Sequence, residues 1–424
     1  MKITSNNKSQ IYSLIVYLIF IIIFEIPIGV QISLAENTLS NKNKIAVLFI
    51  AHGEVATIDE AMVSVRFWDG TTLQPSSNTL NIPHEMQGTF LSAYYEEIAT
   101  AFSYMKSDLN NNGIKHELAL FPAGDVPPFF TFSNFKNMME KEYKLLGGSP
   151  HNYIWQTHVD NLKLDMPSLI LDKYLAYLDA DPLIGNVIGK ICHDLQYEKI
   201  VVVPLFLAND STHMQEIKKS IPDWIKRAGN CNKLAWAPTF FDNPELRKMH
   251  VSAVIEMINQ MHAQLPANTK TEDIGVISVM HGDPFEELAI GARAIPGEIY
   301  SNLHSIEMAF SNEIQARLPF TTVLAYNEFR DPSIETAITN LELQGKKHII
   351  VVPGIFPTLA IHTMWDIANK AIGRPVQANE GVVTNLRPSG ARVWYTARGY
   401  GDSVHGSELL RASMKYSVYL GLKN

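Results

Sequence analysis

Cysteine is nearly absent from this sequence: Cys192 and Cys231 are the two in 424 residues. Neither belongs to a Cys-x-x-Cys pair, which excludes a thiolate zinc site and a thioredoxin-type motif. The two are open to two readings, a disulfide in an oxidising compartment or a pair of small buried residues. No block of lysine and arginine is present, and the formal net charge is −8. The concentrated basic face that phosphate binding requires is therefore missing, and nucleic acid is not expected as a partner. Low-complexity tracts are absent too. With 46% of residues apolar and 10% aromatic, disorder is excluded and there is material for a sizeable core.

The N-terminal 35 residues read as a signal peptide. Lys2 and Lys8 give a positive start, and Ile11–Phe24 is an apolar run of 14 residues, short for a membrane span. Ser33-Leu34-Ala35 puts small residues before a cleavage point at Glu36. The competing reading is a retained anchor over Ile11–Leu34, against which Glu25 stands as a costly charge in lipid. The expectation is an exported protein, periplasmic or extracytoplasmic, touching a membrane only through this segment if it stays uncleaved.

Four apolar runs have the length and character of buried parallel strands: Lys44–Ala51, Lys199–Leu207, Ile274–Met280 and His348–Phe356. Helical patterns lie between them over Gly88–Leu109, Leu183–Leu195, Ser301–Leu318 and Ile334–Leu343. This alternation predicts an α/β fold. The order also repeats. Strands end in His52-Gly53 and in His281-Gly282. Asp181-Pro182 and Asp331-Pro332 each open a helix that leads to a strand ending in proline, Pro204 and Pro353. Nine residues beyond each of those prolines stands a histidine, His213 and His362. A duplicated module accounts for this: two similar three-layer α/β halves with parallel sheets, over 40–265 and 270–424. The first half is longer by about 80 residues between its histidines, which places an insertion at about 55–155. That insertion is open to two readings, a lid lining a cleft or a structural addition.

In an open parallel sheet, ligands bind beyond the carboxyl ends of the strands, where all four histidines fall. One such histidine is commonly structural; four at repeated positions point to chemistry. Neutral imidazole binds borderline divalent metals, and it is a base near neutral pH. Glu328, in Ala325-Tyr-Asn-Glu-Phe-Arg-Asp-Pro332, is the candidate carboxylate, and Asp179 its first-half counterpart with a one-residue gap.

These residues resemble the chelatase superfamily, the ferrochelatases and the CbiX- and CbiK-type sirohydrochlorin chelatases, over most of 44–370. Val323 to Glu335, Ile349 to Pro353, and His362 with Asp366 are similar to the CbiX-type pattern. Lys144-Leu-Leu-Gly-Gly-Ser-Pro150, with Trp155 and Gln156, is similar to the ferrochelatase Gly-Gly-Ser-Pro segment. Where ferrochelatases have a His-x-Glu pair, Ala360-Ile361-His362 stands here. The resemblance implies that His281, Glu328 and His362 form the metal and proton-transfer site, with His52 and His213 as a possible second metal site. It implies insertion of Fe²⁺ or Co²⁺, with Ni²⁺ or Zn²⁺ also suited, into a porphyrin or sirohydrochlorin-type macrocycle, without an organic cofactor. Tyr326, Trp365, Phe129 and Phe130 are candidates to pack on the macrocycle, and Arg293 to meet its acidic edge. The alternative expectation, from a different class, is an extracytoplasmic haem or metal carrier on the same fold.

Overall fold

Two parallel sheets organise the chain. In the computed structural model the described residues are 43–74, 80–99, 131–193, 197–209, 211–229, 233–282, 298–328 and 330–424. The first sheet has the order β2-β1-β3-β4, built from β1 (Asn43–Ala51), β2 (Leu169–Tyr177), β3 (Lys199–Pro204) and β4 (Lys233–Trp236). The second has the order β6-β5-β7-β9-β8, from β5 (Ile274–Met280), β6 (Thr321–Tyr326), β7 (His348–Val352), β8 (Val383–Leu386) and β9 (Arg392–Tyr395). Removing β8, the one antiparallel strand among those described, leaves the same order twice. The duplication inferred from spacing is thus a duplication of topology. The two Asp-Pro turns correspond as well: both peptide bonds are cis, and Pro182 and Pro332 accept from the amides of Tyr177 and Tyr326, each at 2.9 Å.

The central strands carry apolar side chains on both faces because both faces are covered. In β1, Val47 and Phe49 point into one core and Ala46, Leu48 and Ile50 into another. In β5, Val276 and Met280 share the core of Val47 and Phe49, while Ile277 and Val279 enter a third. The middle core therefore belongs to both sheets. It is filled by Phe240 and Phe241, by the helices Pro244–His262 and Glu298–Arg317, and by the C-terminal helix Val404–Lys423 through Leu410, Met414 and Val418.

Two helices cross the boundary that the repeat suggests. The C-terminal helix lies against the first sheet, close enough that a Cβ on Gly421 would meet Val201 Cγ1 at 2.6 Å. The helix Phe132–Leu146, inside the first-half insertion, buries Phe135 and Met139 with Ile277 and Val351 of the second sheet. An order of elements does not reveal such exchanges. Cys192, buried at the end of the helix Ile184–His193, is disulfide-bonded; Cys231 lies outside the described residues.

One consequence of the shared core is acid sensitivity. His250 is 1% exposed, packed on Phe240, with Nδ1 2.7 Å from Tyr400 Oη. Burial pushes its pKa down to about 3, below the roughly 6.5 of an unfolded histidine. Its contribution to stability is complete above pH ~6.5 and is lost as pH falls toward 3, by about 2 kcal/mol at pH 5. Between pH 7.5 and 5.0, urea melts should show the parent losing about 2 kcal/mol more than His250→Gln, since buried carboxylates such as Asp402, which act in the opposite direction, are common to both. An equal loss in both would assign it to other groups.

Candidate active site

Both sheets end at one cavity. Its volume is about 150 Å³, and His52, His213, His281 and His362 all line it. Each is placed by a local device. β1 and β5 run directly into His52-Gly53 and His281-Gly282, whose glycines have φ +85° and +83°. A Cβ on Gly282 would lie 2.0 Å from the Glu328 carbonyl oxygen, so only glycine lets the two strand ends approach. The Glu328 amide donates to His281 O at 2.8 Å, and the Asp179 amide to His52 O at 3.0 Å. Asp179 and Glu328 are thereby equivalent, despite the one-residue gap.

The tautomers follow from the partners. His281 Nδ1 is 2.6 Å from Gly282 O, and His52 Nδ1 is 2.8 Å from Gly53 O. A carbonyl only accepts, so Nδ1 bears the proton and Nε2 holds the lone pair of the neutral ring. His362 Nδ1 is 2.6 Å from Asp366 Oδ2, which likewise turns Nε2 outward. His362 opens a π-helical turn, His362–Ile367, a distortion that recurs at functional positions.

Here the two halves part. His281, Glu328 and His362 can each offer a ligand atom, all within 4.8 Å of one another. His281 Nε2 lies 4.0 Å from Glu328 Oε2, and the two imidazole rings meet edge to face at 5.1 Å. In the first half, His52 and His213 are also edge to face, at 4.5 Å. But Asp179, one methylene shorter, sits 3.3 Å from His52 Nε2, and no three-ligand group forms among these residues at the same spacing. The position equivalent to Asp366 is Ile217, so His213 has no such carboxylate. Burial, and then the other three histidines, push His213 well below the usual imidazole range. For His362, burial acts downward but is outweighed by the Asp366 hydrogen bond and nearby carboxylates, which raise it to about 10.

Of the expected macrocycle contacts, Tyr326 and Trp365 stand away from the cavity. Tyr326 is 2% exposed and belongs to the shared core; as the last residue of β6 its ring points into the layer beneath the sheet. Trp365 packs beside the core under the second sheet, three residues round the turn from His362, and neither residue lines the cavity. Phe129, Phe130 and Arg293 lie outside the described residues. Among the described residues the aromatic lining is Trp155, Phe206, Phe241 and Phe356, with His151 and Glu54 as further polar members. Of these, Trp155 stood out in the sequence through its neighbourhood to Gly-Gly-Ser-Pro; the others carried no signal.

A family model described as Ferrochelatase matches residues 131–385. The chain belongs to the ferrochelatase family. The matched stretch contains all three converging residues and His213 and leaves His52 outside. A ferrochelatase from Trichodesmium erythraeum (strain IMS101) is 21% identical over 241 residues, which are 56% of this chain and 61% of that protein. The chain therefore spans less than two thirds of that relative's length. Among solved structures, SirB from Bacillus subtilis with Fe³⁺ overlaps 88% of this chain and 96% of its own, at 11% identity and a TM-score of 0.38. The sirohydrochlorin chelatase SirB from Bacillus subtilis subspecies spizizenii in complex with cobalt overlaps 89% and 96%, at 10% identity and a TM-score of 0.37.

Proposed function

We propose that this member of the ferrochelatase family inserts a divalent metal ion, Fe²⁺ or Co²⁺, into a porphyrin or sirohydrochlorin-type macrocycle. The observation that carries the reading is the convergence of His281, Glu328 and His362 within 4.8 Å, inside the family match. Two imidazoles and one carboxylate suit borderline metals, and three protein ligands leave positions open for incoming nitrogens. The reaction exchanges one M²⁺ for two pyrrole N–H protons. Nε2 of His281 is the lone-pair atom of the neutral ring, able to hold the metal or take a proton, and Nε2 of His362 faces the same point once its proton is displaced. Glu328 offsets the charge of the ion.

The cavity of about 150 Å³ is smaller than the roughly 300–1,000 Å³ of pockets that enclose a whole ligand. Among the described residues it is too small to enclose a whole macrocycle. The leader-like segment and the disulfide at Cys192 support action outside the cytoplasm, since disulfides persist in oxidising compartments. No helix among the described residues is long and apolar enough to cross a membrane.

The test is anaerobic mixing of the protein with Fe²⁺, Co²⁺ or Zn²⁺ and with protoporphyrin or sirohydrochlorin, followed by absorbance. Conversion of the free-base spectrum to the metallated one, well above the protein-free rate, is expected for at least one pair. A protein that binds finished haem but inserts no metal would instead be a carrier.

A further inference from the structure

Glu54 follows His52-Gly53 on the loop leaving β1, yet its carboxylate serves the other half. The backbone N–H of Ile361 donates to Glu54 Oε2 at 3.0 Å and Oε1 at 3.2 Å, across 307 residues of chain. The Ser149 hydroxyl donates to Oε2 as well. Ile361 is the cap of the π-helical turn that begins at His362, and no side chain of the turn caps it. A helical start leaves its first amides in need of an acceptor, and isoleucine has none to give. Glu54 supplies it from outside, with its own amide held by Asn152 Oδ1 at 2.9 Å.

The segment 143–152 locks the same loop. Ser149 N donates to Ala56 O at 3.0 Å, and Tyr143 Oη to Val55 O at 3.0 Å. Gly148, at φ +104°, would place a Cβ 2.5 Å from Ala56 O. On the far side, His151 Nδ1 and Thr358 Oγ1 are 2.9 Å apart. Three stretches distant in sequence thus meet at one carboxylate, next to a residue of the converging trio.

We infer that Glu54 is a positioning residue: it fixes the turn that aims His362, so the second-half metal trio is held in register by the first half. The inference rests on the reading of His281, Glu328 and His362 as the metal site. Groups that orient metal ligands from behind typically contribute about 10–100-fold to affinity.

Cobalt(II) titration of the full chain, read by its visible ligand-field bands, tests this. Glu54→Asp keeps the charge but is one methylene too short to reach Ile361; Glu54→Gln keeps the reach and an accepting oxygen. Glu54→Asp should weaken Co²⁺ binding roughly 10-fold or more and shift the bands, while Glu54→Gln stays near the parent. Ser149→Ala should move in the same direction as Glu54→Asp, by less. Parental affinity and bands in Glu54→Asp would overturn the assignment, as would Glu54→Gln failing as badly as Glu54→Asp. If the parent itself binds no cobalt, or binds it equally after His362→Ala, the trio is not the metal site and the underlying reading fails first.

Discussion

Replacing His281 by alanine is expected to lower metal insertion by about 100-fold or more, the scale on which a positioned acid–base or ligand group acts. The ring sits at the end of β5 with Nδ1 committed to Gly282 O, so Nε2 is the ring atom that can serve the metal. Glu328→Gln preserves volume but removes the buried charge that balances the cation, and a loss of similar order is expected. The first half provides the control. There the acid is shorter and already 3.3 Å from His52 Nε2, and Ile217 stands where Asp366 orients His362. His213→Ala should therefore keep Co²⁺ affinity within about threefold of the parent, below the effect of losing even an orienting group. Insertion rates on one tetrapyrrole at saturating metal, with Co²⁺ titrations alongside, decide the matter. If His281→Ala and Glu328→Gln insert at the parental rate while His213→Ala loses cobalt, the active half has been assigned the wrong way round.

The four strands legible in the sequence all lie inside their sheets. β1, β3, β5 and β7 are covered on both faces and so read as unbroken apolar runs. β3 and β7 end earlier than the apolar runs do, at Pro204 and before Pro353, because proline has no N–H to extend a ladder. β2 did not announce itself. It is an edge strand, and Asp172 and Lys173 interrupt its pattern. Asp172 pairs with Lys44 at 2.9 Å, and Lys173 donates to the carbonyls of Val159, Asp160 and Leu162. The histidines were legible because duplication turned single residues into a period. The aromatic lining was not, since aromatic character does not say which face of a turn a ring occupies; Tyr326 went to the core and Phe356 to the cleft. Nor does any local pattern join Glu54 to Ile361, or send the C-terminal helix back to the first sheet. Those contacts exist only once both sheets share their middle layer.

Asp366→Asn should change how metal binding responds to pH as well as its strength. His362 Nδ1 is 2.6 Å from Asp366 Oδ2, and Asp366 is 3% exposed. Burial pushes Asp366 itself upward while the imidazolium beside it pulls it down, so the pair holds a shared proton. With His362 raised to about 10, a metal arriving at Nε2 must displace a proton. In the parent, affinity should therefore rise by close to tenfold per pH unit between pH 7 and about 9, as that proton becomes easier to remove. Asparagine takes away the charge that raises His362, and burial then favours the neutral ring. Over the same window the slope should flatten. The amide is also a weaker acceptor and can present its NH₂ group to Nδ1, favouring the tautomer whose lone pair faces away from the cleft. At pH 9 the variant should bind Co²⁺ about 10–100-fold more weakly than the parent. Toward pH 7 the gap should narrow, because the parent alone is held back by its proton. Cobalt titrations of both proteins at pH 7, 8 and 9 measure slope and offset together. A variant with the parent's full slope would mean that the displaced proton does not reside on the His362–Asp366 pair.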